Sequence, residues 1–338
     1  MNDWLPALAA TLANGNPAVL LSVAHTVGSA PREAGATMLI TAEYEAGSIG
    51  GGQLEWLAAS AAHSLLGVDG PPRLLRFALG PSLGQCCGGI VWLIAERIEA
   101  RHAADWQARA DAVADGQALA RRLASDDLAS RWQLLDPPPV DDGTRLQVSG
   151  NRWTFTHTVG ADDFPVYVFG AGHTGSAIVR ALAPLGARIS WVDGREYLFP
   201  NEVPGNVERV VTDTPTAEVR DAPPGSYFLV MTHSHALDFE ICAAIFARQD
   251  FAWFGLIGST SKRNSFSRQL TARGLPPERL DDLTCPIGVA GIQSKQPAAI
   301  AASVAAQLLQ VRETRAAIRQ ASHPGPDAPP LSSLPRPQ

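Results

Sequence analysis

Two cysteines stand side by side in the glycine-rich stretch Gly84-Gln85-Cys86-Cys87-Gly88-Gly89, and they are half of the four cysteines in the chain. Structural cysteines pack singly in cores, and disulfide frameworks space their cysteines so that the Cβ vectors can meet. Adjacent thiols on a glycine loop can instead ligate a soft metal, carry sulfur or be oxidised, once something lowers their pKa. No base or cation neighbours them in sequence, so a buried tight turn with two small apolar side chains explains the same residues equally well.

Four further glycine connections have the residue types to hold an anion. Val166-Tyr167-Val168-Phe169 runs into Gly170-Ala171-Gly172-His173-Thr174-Gly175, a strand turning through GxGxxG into a helix. In that context Gly170 permits the tight turn, Gly172 lets a phosphate approach the backbone, and Gly175 allows close packing of helix on strand. Asp193 closes the next strand, where a carboxylate can accept from a ribose diol. This is a Rossmann-type half-site. NAD(P) is one ligand for it, and the same loop can serve another phosphate or persist for structural reasons. Arg195 contacts a phosphate or is simply solvated.

The second connection, Gly50-Gly51-Gly52-Gln53-Leu54-Glu55, precedes a helix whose dipole and glycine N–H groups can converge on negative charge, although a plain tight turn fits too. In the third, Gly258-Ser259-Thr260-Ser261-Lys262-Arg263 leaves a buried strand with two cations at a helix start. Cations there oppose the dipole, so a compensating anion is expected, or else the side chains snorkel into water. The fourth, Gly28-Ser29-Ala30-Pro31-Arg32-Glu33-Ala34-Gly35, presents Arg32, which can clamp a phosphate or carboxylate; alone it would pass for a surface turn.

His233-Ser234-His235 with Asp238 follows another strand, and two alternate histidines with a carboxylate can bind metal or move protons. The spacing is not HExxH, and helix capping by Ser234 or Asp238 accounts for part of the pattern. Cys285-Pro286-Ile287-Gly288 can bring one more thiol to the same rim, while Cys242 lies within an apolar helical face and is expected in the core. No GxSxG elbow is present, so hydrolysis has no visible machinery.

The elements that must position these residues read as α/β. At 338 residues, with 46% hydrophobic and 18% charged, the chain can fill two ordinary cores. The first region, 1–100, reads as an α/β domain. It has a helix over 3 to 14, strands at 18 to 23, 37 to 41, 74 to 78 and 90 to 95, and a helix over 54 to 66. Residues 101–160 read as a connecting helix over 103 to 128, a proline linker and a hairpin. Residues 161–320 alternate strand and helix, which means a parallel sheet covered by helices, and 321–338 read as a disordered proline-rich tail. The net charge of -6 argues against a nucleic-acid surface. The start lacks an export signal and no apolar run is long enough to span a bilayer, so a cytoplasmic protein with free thiols and no membrane association is expected. A homodimer is the expected assembly on base rates alone.

Taken together, these blocks resemble the XdhC/CoxI family, accessory factors that mature molybdenum hydroxylases. The resemblance runs from Val19 to about Glu313. It is carried by Gly28-Ser29-Ala30-Pro31-Arg32 with Gly35, Gly50 to Glu55, Leu79-Gly80-Pro81-Ser82-Leu83 with Gly84 to Gly89, Gly170 to Gly175, Gly255 to Arg263, and Cys285 to Gly288. It implies a chaperone of purine catabolism rather than an enzyme. Such a protein would bind molybdenum cofactor (molybdopterin), keep it available while a cysteine desulfurase adds the terminal sulfur, and pass it to the molybdenum subunit of xanthine dehydrogenase. CoxI-like relatives often carry cysteine where this chain has Gln53, so any sulfur role falls to Cys86, Cys87 or Cys285. On this reading Cys86 or Cys87 contacts molybdenum, and Arg32 with Gly50, Gly51, Gly52 and Gln53 binds polar parts of the cofactor. Gly170, Gly172, His173, Gly175, Asp193, Gly258, Ser259, Lys262, Arg263 and Cys285 complete the expected cofactor-binding set. The rival is an NAD(P)-dependent oxidoreductase built on the C-terminal domain, for which no hydride partner is evident; a scaffold with an empty nucleotide fold is a third reading.

Overall fold

The apolar run at Ala18 is a strand buried on both faces, and this one fact organises the first half of the chain. In the computed structural model, which describes residues 4–80, 88–136, 143–160 and 164–322, α1 (Trp4–Ala13) leads into β1 (Ala18–Val27), followed by β2 (Thr37–Ile40), β3 (Glu45–Gly47), α2 (Gly52–His63), β4 (Arg73–Ala78) and β5 (Ile90–Ile98). These strands form an antiparallel sheet in the order β3-β2-β1-β5-β4, with β1 at its centre. Side chains alternate across a strand. Val19, Leu21 and Val23 therefore pack with Leu54, Ala58 and Ala62 of α2, whereas Ala18 and Leu20 pack with Leu5, Leu8 and Leu12 of α1. A strand covered on both sides carries no polar alternation, as its sequence shows.

The next stretch departs from expectation. The helix read over 103 to 128 stops early: α3 (Ala103–Ala114) is followed by β6 (Ala118–Ala124), β7 (Arg131–Leu135), β8 (Arg145–Ser149) and β9 (Arg152–Val159), an antiparallel sheet in the order β7-β6-β9-β8. Seven residues of alanine, leucine and arginine have no decisive local period, and pairing with β7 and β9 decides for strand. Arg121 of β6 faces His157 of β9 in register, and both are buried. Arg121 donates to Glu96 of β5 and to the Ser22 hydroxyl, at 3.3 Å for the latter.

The chain divides after Asp162 into two compact units. The second holds β10 (Pro165–Phe169), α4 (His173–Leu182), β11 (Arg188–Asp193), β12 (Val207–Val211), α5 (Pro215–Asp221), β13 (Tyr227–Val230), α6 (His235–Phe246), β14 (Trp253–Leu256), α7 (Thr260–Ala272), β15 (Leu283–Thr284) and α8 (Pro297–Ser322). All six strands are parallel, in the order β12-β11-β10-β13-β14-β15. That is the order 3-2-1-4-5-6 of the doubly wound nucleotide fold, and the expected parallel sheet is present. Val166, Val168, Ile189 and Trp191 pack with Ile178 of α4 and Val304 and Leu308 of α8. On the other face Phe169, Phe228 and Val230 meet Val219 of α5, Ile241 and Ile245 of α6 and Leu270 of α7. Cys242 lies in this second core, fully buried. The strand β12 was not legible in sequence, because as the edge strand it is largely exposed and carries Glu208 and Arg209 in place of an apolar run. No helix of the described residues is long and apolar enough to cross a membrane.

Candidate functional site

In the N-terminal unit the structure brings three of the glycine connections together. A Cβ on Gly28 would lie 3.2 Å from Gly89 Cα, and one on Gly89 would lie 2.2 Å from the Ser29 carbonyl oxygen, so the 28–35 turn rests on the start of β5. A Cβ on Gly50 would strike the Pro31 ring at 2.5 Å, and Arg32 Nη1 donates to the Ser48 carbonyl at 3.4 Å. Arg32 and the Gly50 loop are therefore neighbours, and Gly88 and Gly89 complete the cluster. Cys86 and Cys87 lie outside the described residues.

Gly50, Gly51 and Gly52 have φ of 125°, 73° and 64°, a succession that glycine alone adopts without strain. The resulting turn already holds an anion of its own. Glu55 Oε2 accepts from the Ile49 N–H at 3.0 Å, the Gly51 N–H at 2.9 Å and the Ser48 hydroxyl at 2.8 Å. Burial would raise the Glu55 carboxyl pKa, but these hydrogen bonds outweigh it and hold the group below the usual carboxylate range. What the loop leaves open is its far side, where Gly52 and Gln53 are exposed at the start of α2. The sequence pattern contains Glu55 without assigning it a role; a glutamate in the first turn after a glycine run was the available signal. Arg32 donates through Nε and Nη2 to Glu33, at 3.3 and 3.0 Å. That pair is solvent-exposed, and an exposed pair contributes only about 0–1 kcal/mol. Arg32 can accordingly exchange Glu33 for a stronger anion at little cost.

In the C-terminal unit the strand order reverses between β10 and β13, and ligands of such sheets gather at the carboxyl ends of the strands at that point. The Gly170 turn and the segment after β13 meet there, since a Cβ on Gly170 would lie 2.4 Å from the Met231 carbonyl oxygen. Gly175 is required by packing: a Cβ on it would lie 2.0 Å from the Gly170 oxygen. Gly172 is different, with nothing within 4 Å of where a Cβ would be, so the backbone at the start of α4 is open to a ligand. His173, the first residue of α4, and His233 and His235, which follow β13, are exposed.

Three expected ligand contacts are engaged inside the protein instead. Asp193 Oδ2 accepts from the Ala171 N–H at 2.7 Å and Arg195 Nη2 at 2.9 Å, while Oδ1 accepts from the Arg195 N–H at 3.0 Å and Nε at 2.9 Å. Burial raises its pKa, and these bonds more than reverse that, leaving the carboxyl below its ordinary range. Its acceptor positions are thereby filled, so it is not free for a ribose diol. Lys262 Nζ donates to Asp238 Oδ2 at 2.6 Å and to the Ile257 carbonyl at 3.0 Å. The anion expected for this helix start is therefore Asp238, which is 1% exposed and also accepts from the Thr232 N–H and hydroxyl, both at 2.8 Å. The same bonds take Asp238 away from His233 and His235. Cys285 is buried with Sγ 3.8 Å from the Ser259 carbonyl oxygen, and burial pushes its thiol pKa up despite Lys262 and Arg263. A protonated, covered thiol is a poor sulfur carrier. Ser259 caps α7 by accepting from the Lys262 N–H at 3.3 Å, and Arg263 stays half-buried, 3.9 Å from Asp281.

Parallel sheet, strand order and open glycine turn define the C-terminal unit as a Rossmann-type nucleotide fold, joined in one chain to an antiparallel α/β unit with its own glycine-loop cluster. A family model described as the XdhC and CoxI family matches residues 11–78, and one described as the XdhC Rossmann domain matches residues 166–308. The chain belongs to this family. It is 34% identical over 151 residues to the uncharacterized protein YqeB of Escherichia coli, a match covering 43% of this chain and 27% of that protein, so the chain spans only about a quarter of that relative. Over 341 residues it is 24% identical to a Bacillus subtilis protein described as a probable xanthine dehydrogenase component, a match covering 94% of this chain and all of that one. The crystal structure of a xanthine dehydrogenase from Bacillus halodurans has the same fold, with a TM-score of 0.74 over 95% of this chain and 98% of that one at 23% identity.

Proposed function

We propose that this protein is an accessory factor that binds molybdenum cofactor, supports its sulfuration and delivers it to the molybdenum subunit of xanthine dehydrogenase. The family and the Bacillus subtilis relative support a role in xanthine dehydrogenase maturation. The observation that carries the cofactor part is the convergence of the 28–35 turn, the Gly50 loop and Gly88-Gly89, which gathers Arg32 and the exposed start of α2 beside the end of the Cys86-Cys87 block. When bound, the cofactor supplies an anionic phosphate, a pterin and a soft dithiolene-held metal. Arg32 is the cation for the phosphate, Gly52 and Gln53 offer polar groups at a helix start, and Cys86 or Cys87 is the soft contact. A cysteine desulfurase is the sulfur donor that this role requires.

The test is anaerobic purification from molybdenum-replete cells, followed by cofactor quantification and transfer to apo xanthine dehydrogenase. Cys86→Ser/Cys87→Ser is expected to lose most of the sulfurated cofactor while folding normally; unchanged binding and transfer would sink the thiol assignment. A second reading concerns the C-terminal unit. Its strand order and the open Gly172 turn favour a bound dinucleotide of the NAD(P) type, whose pyrophosphate the first-turn N–H groups of α4 would hold.

A further inference from the structure

We propose that the C-terminal unit selects a dinucleotide bearing a 2′-phosphate over one with a bare ribose diol, and that Arg195 makes the selection. This rests on the reading that the unit binds a dinucleotide. At the end of the second strand of such a sheet an acid ordinarily accepts from the ribose hydroxyls, and an arginine nearby ordinarily meets a 2′-phosphate. Here both residues are present, and the hydrogen bonds decide between them.

A carboxylate has about four acceptor positions. Those of Asp193 go to the Ala171 N–H, the Arg195 N–H, Arg195 Nε and Arg195 Nη2, and its side chain is 5% exposed. Asp193 thus ties the glycine turn to Arg195, two residues past the end of the strand, and acts as a positioning residue. Arg195 is held by this fork and remains 30% exposed, with Nη1 outside the fork. A ribose arriving at this rim meets a fixed guanidinium in place of a free carboxylate. Such a group is preorganised for phosphate, since the entropy of ordering it has already been lost in the free protein.

Two neighbours bear on the same position. Tyr197 is 81% exposed two residues beyond Arg195, the kind of aromatic on which a base can stack. Asp213, just after β12, has Oδ1 3.0 Å from where a Cβ on Gly194 would lie. Its charge opposes a phosphate, so the preference must come from direct contact with Arg195 and not from the general field of the rim.

Isothermal titration of the full chain with NADP+ and NAD+, and with 2′,5′-ADP and 5′-AMP as fragments, tests this. The preference for the 2′-phosphorylated member of each pair is expected to be on the order of tenfold or more, the scale of one charge-assisted contact. Arg195→Ala should lower NADP+ affinity about tenfold or more and abolish the preference, while NAD+ should bind as well as or better than to the wild type, because two acceptor positions of Asp193 return to the ribose; Arg195→Lys, which keeps the charge and loses the fork, should fall between. Equal or tighter binding of NAD+ by the wild type overturns the inference and leaves the dinucleotide reading intact. Failure of all four ligands to bind overturns both. The wild-type comparison does not depend on any variant folding.

Discussion

Replacing Lys262 by methionine should destabilise the C-terminal unit, because its ammonium is the countercharge of a carboxylate that water does not reach. Asp238 is 1% exposed and the Lys262 side chain 11% exposed, with 2.6 Å between Nζ and Oδ2. Methionine keeps most of the aliphatic stem and its packing near Phe266, over whose ring Nζ sits at 5.5 Å, so the charge is what is lost. Breaking a buried pair from one side costs about 3–5 kcal/mol. Thr232 still donates twice to Asp238 Oδ1, which places the expected loss near the lower end, about 3 kcal/mol. Lys262→Met/Asp238→Asn should recover at least about 1 kcal/mol of it, since the pair is coupled. Urea unfolding gives the free energies, and hydrogen exchange shows whether the loss is confined to peptides from α6 and α7. If Lys262→Met stays within about 1 kcal/mol of wild type while nucleotide affinity collapses, Lys262 serves an external anion and the internal assignment is wrong.

Acidification should weaken the N-terminal unit through His157. Burial, and then the nearby Arg121 charge, lower its pKa from 6.5 to about 3, so the unfolded chain takes up a proton near pH 6.5 that the folded chain refuses. Its contribution is therefore intact above pH 6.5 and lost as pH falls, by about 1.4 kcal/mol per unit below that. Urea midpoints at pH 7.5 and 5.5 should differ accordingly, and the same difference in His157→Phe would show that another group causes it. The glycines of the fingerprint should separate by role. Gly175→Ala puts a Cβ 2.0 Å from the Gly170 oxygen and should cost about 3 kcal/mol or more, whereas Gly172→Ala meets nothing within 4 Å and should change stability by less than about 1 kcal/mol. Because that methyl would occupy the open approach, Gly172→Ala should still weaken dinucleotide binding; thermal unfolding with titration checks both, and normal affinity in Gly172→Ala would place the ligand elsewhere.

Much of the second unit was legible because its determinants are local. The fingerprint at Gly170 to Gly175, the apolar strands at 166 to 169 and 226 to 231 and the Ser259 cap each carry their signal within a few residues. The hairpin of β8 and β9 was legible too, but the edge strand β12 and strands β6 and β7 were not, since neighbours many residues away set their conformation and their composition is mixed. Side-chain partners were the least legible. Lys262 and Asp238 stand 24 positions apart and Arg121 and Glu96 25, on different elements in each case.

By itself the sequence determined which backbone turns are glycine-lined, where parallel strands alternate with helices, and which residues have the chemistry to hold an anion or a soft metal. Only the tertiary structure decided which of them are still free to do so. Burial makes an unpaired charge or donor costly, so Glu55, Asp193, Asp238 and Lys262 found partners within the fold. Arg32, whose pair with Glu33 is exposed and exchangeable, and the Gly172 turn remained available, because folding left them near solvent.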